Sequence, residues 1–413
     1  MTRLTAAAPT FDEPPWRTQQ REAALDAFRT GGLPDVADDV WRYAPLDLLK
    51  LDELDLAEAS SGRPAETAVG GRSPAAVITV EAGHVVGVDV SVSTPGLDVG
   101  FGTPPVGLGG LVGPDDAFAS LNLALTPGPL VIDVAAHSSI DEPVVLLVEC
   151  PEGASFPRVL VRVAQGSKVR ILEHVTGPSA DLVVGVAEYH VGEGASLEVC
   201  TVQSLSTVAW SIARTRASLA SDATFTQAVI GLGGRYDRVR ADAILEGDGA
   251  TSVLHTAHVG SGDQIHDLRT MQVHVGRRTK SRLRSKAAVA GQAGSIYSGL
   301  ISMRPGAKKS DASQVNTSLV LSDDAFADSV PNLDIEENDV RCSHASSVGP
   351  VDAEQRWYLE SRGVAPADAV QLILEGFFVE VEQLLDDAVL GASLREAISR
   401  IDLSAAVDGS RRA

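Results

Sequence analysis

The feature that most constrains this chain is a repeat. The segments VAQGSKVRILEHV, VGEGASLEVCTV, LASDATFTQAVI and LEGDGATSVLHTA superimpose at Ser167, Ala195, Ala223 and Ala250, in steps of 28, 28 and 27 residues. Each places a small residue at a turn and follows it with alternating apolar and polar residues, the mark of a strand with one face in a core. A fixed period in the twenties implies units that stack, because a unit of that size cannot bury its own apolar face. Stacked coils of a β-helix satisfy this pattern, whereas a sandwich or barrel leaves the constant period to chance. Gln292-Ala293-Gly294 and Asp323-Asp324-Ala325 are expected to continue the turns less regularly.

The strand texture runs over 76–349 and is flanked by helical patterns. In the N-terminal region, 1–75, PPWRTQQREAALDAFRT sets prolines before, and Gly31-Gly32 after, the apolar positions Ala24, Leu25 and Phe28, which predicts a capped helix. A second short helix is expected over 35–42, and 57–75 reads as a loop. In 350–413, Pro366 opens a helix carrying Leu372, Ile373, Phe377, Val381, Leu384 and Leu385 as one stripe. Ser393 and Glu396 predict a capping box ahead of a last helix. The fold class expected is mainly β: a β-helix core with an N-terminal helical region and C-terminal helices.

Composition bounds the function. With 413 residues and 44% hydrophobic content the chain can build a large core. It has no apolar run long enough to cross a membrane as a helix. The opening MTRLTAAAPTFDEPPW meets acids and prolines before any apolar leader forms, so a cytoplasmic location is expected. A net charge of −21 disfavours nucleic acid as a partner. The three cysteines, Cys150, Cys200 and Cys342, are widely spaced, which excludes a disulfide framework and a self-contained four-cysteine metal site. Cys150 and Cys200 are expected in the core. No P-loop, G-x-S-x-G or strand-to-helix G-x-G-x-x-G is present, so the chain offers no ATP site and no self-sufficient enzyme.

One pair stands out in 339-DVRCSHASSVG-349. On an extended strand Val340, Cys342 and His344 share a face and Asp339, Arg341 and Ser343 take the other. Cys342 and His344 side by side make half of a zinc or iron–sulfur ligand set, or a nucleophile next to its base. They equally suit a buried cysteine packed against a hydrogen-bonded histidine. His255, His258, His266 and His274 read as satisfied structural histidines. In 277-RRTKSRLRSK-286, Arg278, Lys280, Arg282, Arg284 and Lys286 fall on every second residue, predicting one basic face. That face suits either solvent or an acidic protein partner.

The string HDLRTMQVHV, SGLISMRPGAKKSDASQVNTSLVLSDDAFADSVPNLDIEENDVRCSHASSVG, YLESRGV and EGFFVEVEQLL resembles the core of the SufB/SufD family of iron–sulfur cluster assembly scaffolds. PPWRTQQREAALDAF and WRYAPLDLL resemble the start of its SufD branch. The resemblance implies a right-handed parallel β-helix in a complex with a SufB-like paralogue and a SufC-like ABC ATPase. It implies that His344, with Cys342 as a weaker candidate, is a ligand to a transient iron–sulfur cluster shared with SufB. It also implies that Phe377, Phe378, Val381, Leu384 and Leu385 face SufC, and that this chain is a non-catalytic scaffold subunit. Asn316 stands where SufB carries a functional cysteine, and Ala345-Ser346-Ser347 where the family reads Gly-Ala-Thr. A homodimer in isolation, a purely structural subunit, and a stand-alone β-helix enzyme using Arg304 and 308-KKSD-311 are the alternatives.

Overall fold

The computed structural model describes residues 4, 9, 11, 13–38, 40–59, 74–91, 94–101, 108–385 and 388–401, leaving aside the side chains of 382–391 and 393. Its centre is a solenoid made of two sheets of ten strands each, parallel apart from one strand at the start of each sheet. In a regular coil the ten-residue strand Lys168–Gly177 is followed by a turn, the ten-residue strand Leu182–Val191 on the opposite sheet, and a second turn before Ser196–Leu205. Two such strands and two short turns produce the period seen in the sequence.

The small residues of the repeat line one corner. Ser196 N–H donates to the Ser167 carbonyl, Thr224 to Ala195, Thr251 to Ala223 and Lys280 to Ala250. The corner then continues through Thr279 and Ser310, whose carbonyls accept from Asp311 and Arg341. The turns at 292–294 and 323–325 belong instead to the opposite corner, where Gly294 N–H bonds Gln264 and Phe326 N–H bonds Ala293. Each coil has two tight turns, so small residues recur at two phases and a single alignment mixes them.

Alternation assigns each strand residue to the lumen or to an outer face. Ile171, Leu197, Val199 and Phe225 fill the lumen. On the outside of their sheet, Cys200, Val202, Ala228, Ile230, Ala257 and Val259 form a second apolar face, covered by Val370, Leu374, Phe378, Val381, Leu394 and Ile398 of the C-terminal helices. The outer face of the other sheet, including Leu182, Val184, Trp210 and Tyr236, is covered by Trp41, Phe118, Leu121 and Leu125. Cys150 and Cys200 are buried as expected, and burial pushes the Cys150 thiol up to about 12.

The N-terminal helix α1 spans Pro15–Gly31 and stops where Gly32 takes φ 67° and returns its N–H to the Phe28 carbonyl. No helix forms over the described part of 35–42. Asp35 and Asp38 instead accept hydrogen bonds from the N–H groups of Ala37 and Val40, which holds the chain in successive turns. A helix not expected from sequence, α2, spans Ala117–Leu125 and is capped by Asp116, whose carboxylate accepts from Ala119 N–H at 2.7 Å. Phe118 through Leu125 are all buried, so no polar face marks the helical period. Arg17 and Arg21 of α1 donate to the carbonyls of Leu123, Ala124 and Thr126 at the end of α2.

After the solenoid come α3 (Ala353–Ser361), α4 (Pro366–Leu385) and α5 (Ala388–Ser399). Ser393 lies inside α5, so the expected capping box does not start that helix. Among the described residues no helix is long and apolar enough to cross a membrane.

Candidate functional site

The solenoid ends in a coil formed by Phe326–Ile335 on one sheet and Arg341–Gly349 on the other, each the last strand of its sheet among the described residues. Cys342 and His344 stand on Arg341–Gly349, opposite Ala312 and Gln314 of the strand Asp311–Val320. Ala312 and Gln314 are buried and face the lumen, so Cys342 and His344 face the lumen as well. The shared face expected from the sequence is therefore observed, at the solenoid's open end.

The two side chains differ in setting. Cys342 is half-buried and packs against Ile301, Met303 and Ala312, while His344 is exposed. Burial, and then the Asp311 carboxylate, push the Cys342 thiol up from its ordinary value. At neutral pH Cys342 is therefore protonated and a weak nucleophile, and a metal must displace its proton to bind. The histidine is the more available ligand.

The coil beneath is polar and partly unpaired. The Gln314 side chain is 1% exposed, yet neither its oxygen nor its nitrogen has a hydrogen-bond partner among the described residues. Gly299 makes room for it, since a Cβ there would stand 2.6 Å from Gln314 Nε2 and 2.4 Å from the Tyr297 hydroxyl. Asn316 Nδ2 donates to Ser329 Oγ at 3.1 Å, and Ser346 Oγ donates to the same oxygen at 2.7 Å. Asn316 thus lies two residues beyond Gln314 on the lumen side, with Ser346 above it on the last strand. The sequence had named His344, Cys342 and Asn316, and had given no sign of Gln314.

Other sequence expectations resolve plainly. Lys280, Arg282, Arg284 and Lys286 share the outer face of Lys280–Val289, whereas Arg278 lies before the strand in a turn with φ 57°. The stripe is neither bare nor a partner surface throughout. Arg284 and Lys286 reach Glu380 of α4, each at 3.1 Å, and Arg282 pairs with Asp311 at 3.0 Å. Two of the groups named for a stand-alone enzyme are ion-paired, Asp311 with Arg282 and Arg304 with Asp334 and Glu336. His274 is satisfied, with Nδ1 at 2.7 Å from Thr279 Oγ1 and Nε2 at 2.9 Å from Ser281 Oγ. His258 and His266 are not, and they come together with Asp237. The signal for part of this was present: Asp237 and His266 are one coil apart and pair in register.

On the helical side, Phe378 and Val381 are each 1% exposed and pack on the sheet, so they are not a free surface for a partner. Phe377 is partly buried, and the side chains of Leu384 and Leu385 lie outside the described residues. Among the described residues the exposed large apolar side chains of these helices are Trp357, Tyr358, Leu372 and Val379. Tyr358, Leu372 and Phe377 line a cleft of about 980 Å³ between α3, α4 and the strand Asp311–Val320.

The solenoid thus ends in short antiparallel strands on one side and in long parallel edge strands on the other, with Cys342 and His344 on the last coil of the latter. Residues 146–377 match the family described as SUF system FeS cluster assembly, SufBD core domain. The chain belongs to this SufB/SufD family and is most like SufD. It is 30% identical over 372 residues to an iron–sulfur cluster assembly SufBD family protein of Mycobacterium tuberculosis, covering 86% of this chain and 85% of that one. It is 25% identical over 385 residues to the SufD of Escherichia coli, covering 90% of each. The SufD of Bacillus subtilis is 29% identical over 268 residues, covering 63% of this chain and 61% of that one.

Proposed function

We propose that this protein is the SufD-like subunit of an iron–sulfur assembly complex in the cytoplasm, joined through its open coil to a SufB-like paralogue and through its C-terminal helices to a SufC-like ATPase. The observation that carries this reading is the last coil itself. Its two edge strands are long, they expose Val330, Leu333, Ile335 and Val348, and the lumen between them holds His344 and Cys342. An unblunted edge of this kind invites continuation by another chain. Two ligands do not complete a site, so a partner's ligands are needed to hold a cluster. In this reading the nascent cluster is cargo, with His344 as the ligand from this side and Cys342 as a secondary one.

A shared half-site suits transfer. Ligands divided between two chains part when the chains rotate or separate, and a nucleotide-driven partner supplies that motion. Trp357, Tyr358, Leu372 and the cleft beside Phe377 replace the buried Phe378 and Val381 as the surface offered to the ATPase.

The test is His344→Ala in the reconstituted three-protein complex, with cluster transfer to an apo-acceptor followed anaerobically by visible absorption. Transfer is expected to fall about tenfold or more while the complex still elutes intact. Unchanged yield and rate in an intact complex would reduce this chain to a purely structural subunit.

A further inference from the structure

Well inside the solenoid lies a second group of ligand-type side chains. Asp237 on the strand Tyr236–Leu245 and His266 on Ile265–His274 are register partners in one sheet. His258, on Thr251–Gly260 of the other sheet, meets them across the lumen, its ring centroid 5.4 Å from that of His266. All three are at most 2% exposed. Asp237 Oδ2 and His266 Nδ1 are 3.2 Å apart, and one ligand atom from each residue falls within 4.8 Å of the others.

The group is unfinished as a hydrogen-bond network. Asp237 Oδ1, His258 Nε2 and His266 Nε2 have no partner among the described residues. His274, equally buried one strand-length away, has both ring nitrogens bonded, so a lone histidine in this lumen can be satisfied by hydroxyls. The fold also clears space around the three. A Cβ on Gly231 would stand 2.4 Å from Asp237 Oδ2 and 2.7 Å from His258 Cδ2, and one on Gly260 would stand 3.0 Å from His266 Cδ2.

We propose that Asp237, His258 and His266 bind one divalent transition-metal ion of the zinc or iron(II) class inside the lumen. Two imidazoles and a carboxylate form a donor set for these ions, and the set is too nitrogen-rich for calcium or magnesium. Metal–ligand bonds of about 2.0–2.1 Å on a tetrahedral ion set donor atoms about 3.3 Å apart. The pair Asp237 and His266 already has that spacing at 3.2 Å. The third donor then has to close by about 1.5 Å at most from the 4.8 Å limit, into space the glycines leave free.

A fourth ligand is available as water. Asp237 forms part of the wall of a cavity of about 80 Å³, together with Thr201, Gln203 and Gln227. That is room for a few waters, in walls that are mostly apolar and whose polar groups include Asp237, Thr201, Gln203 and Gln227. The site is separate from the open coil. From the strand of His258 to the strand of His344 there are three interstrand steps, about 14 Å.

Co(II) is the probe, because its visible bands report ligand number and type. The full-length chain is unfolded with chelator, refolded, and titrated with Co(II), then with Zn(II) in competition. One Co(II) per chain is expected, displaced by Zn(II), with a higher melting temperature than in chelator. His258→Gln and His266→Gln are each expected to weaken binding about tenfold or more. Anomalous scattering from crystals of the Co(II)-loaded wild type locates the ion even if the variants fail to fold. Refolded wild-type protein that takes up no stoichiometric ion would overturn the proposal, as would an ion located away from Asp237, His258 and His266.

Discussion

The two ends of the solenoid are built differently. At the N-terminal end the sheets finish in antiparallel strands, His84–Val90 on Ala76–Glu81 and Leu97–Phe101 on Leu130–Val134, only seven and five residues long. The lumen beside them is packed with Ile78, Ile132, Leu146 and Val161. At the C-terminal end the last strands are parallel, ten and nine residues long, and the lumen holds Gln314, Asn316 and His344. Short edge strands over an apolar plug stop a solenoid. Long edges over polar groups leave it incomplete, and Cys342 and His344 stand on that incomplete coil.

The largest effect that checks this contrast is on stability. Leu146→Ala empties part of the apolar lumen at the N-terminal end, where the side chain is 1% exposed, and is expected to cost about 3 kcal/mol. Leu333→Ala, on an open edge and 38% exposed, is expected to cost less than about 1 kcal/mol in the isolated chain. Denaturant melts of both variants decide the matter, and equal losses would mean the two ends are equally built.

Acid probes the polar coils. Burial, and then the positive charge of Arg282, hold His274 down at about 4, against about 6.5 in an unfolded chain. Between those values the unfolded chain binds the extra proton and the folded chain does not. The stability His274 allows is therefore full above pH 6.5 and lost as pH falls toward 4, a swing of about 3 kcal/mol. His274→Gln is expected to flatten the slope of unfolding free energy over that window by up to about 1.4 kcal/mol per pH unit. An unchanged slope would show that His274 is already charged in the folded coil.

A smaller effect has the opposite sign. Gln314 buries an amide with no partner among the described residues, and such a group costs about 1–3 kcal/mol. Gln314→Leu is expected to stabilise the isolated chain by about 1 kcal/mol and to weaken pairing with a SufB-like partner that would satisfy the amide. Thermal melts of the chain alone and with that partner separate the two effects. Destabilisation of the isolated chain would show that the amide is already satisfied there, by water.

These polar groups also mark where sequence stops being legible. The coil period was legible because the small corner residues Ser167, Ala195, Ala223 and Ala250 must stack, which imposes a fixed count. The common face of Cys342 and His344 was legible from alternation alone. Neighbours on one sheet, such as Asp237 and His266, follow from adding one coil to a residue number. His258 does not, because its meeting with them depends on the turn lengths between opposite sheets. Helix α2 was hidden by its complete burial, and the missing helix at 35–42 by aspartates that bond the backbone locally. The face of the basic stripe was legible on Lys280 through Lys286, but its occupant, Glu380, lies 96 residues from Arg284 in sequence.

That occupant gives the smallest prediction. Arg284 and Lys286 tie the outer face of the polar coils to α4 through Glu380, and Lys286 also donates to the Phe377 carbonyl. Glu380 is about half exposed, so the pairs sit in high dielectric and contribute little. The apolar contact of Phe378 and Val381 with Val202, Ile230 and Val259 carries the docking instead. Glu380→Gln is thus expected to cost about 0.5 kcal/mol, and the cost is expected to shrink in high salt. Chemical denaturation at two ionic strengths checks it. A loss of several kcal/mol would mean that the polar coils depend on ion pairs for their cover, and would break the view that the two ends differ only inside the lumen and at their edges.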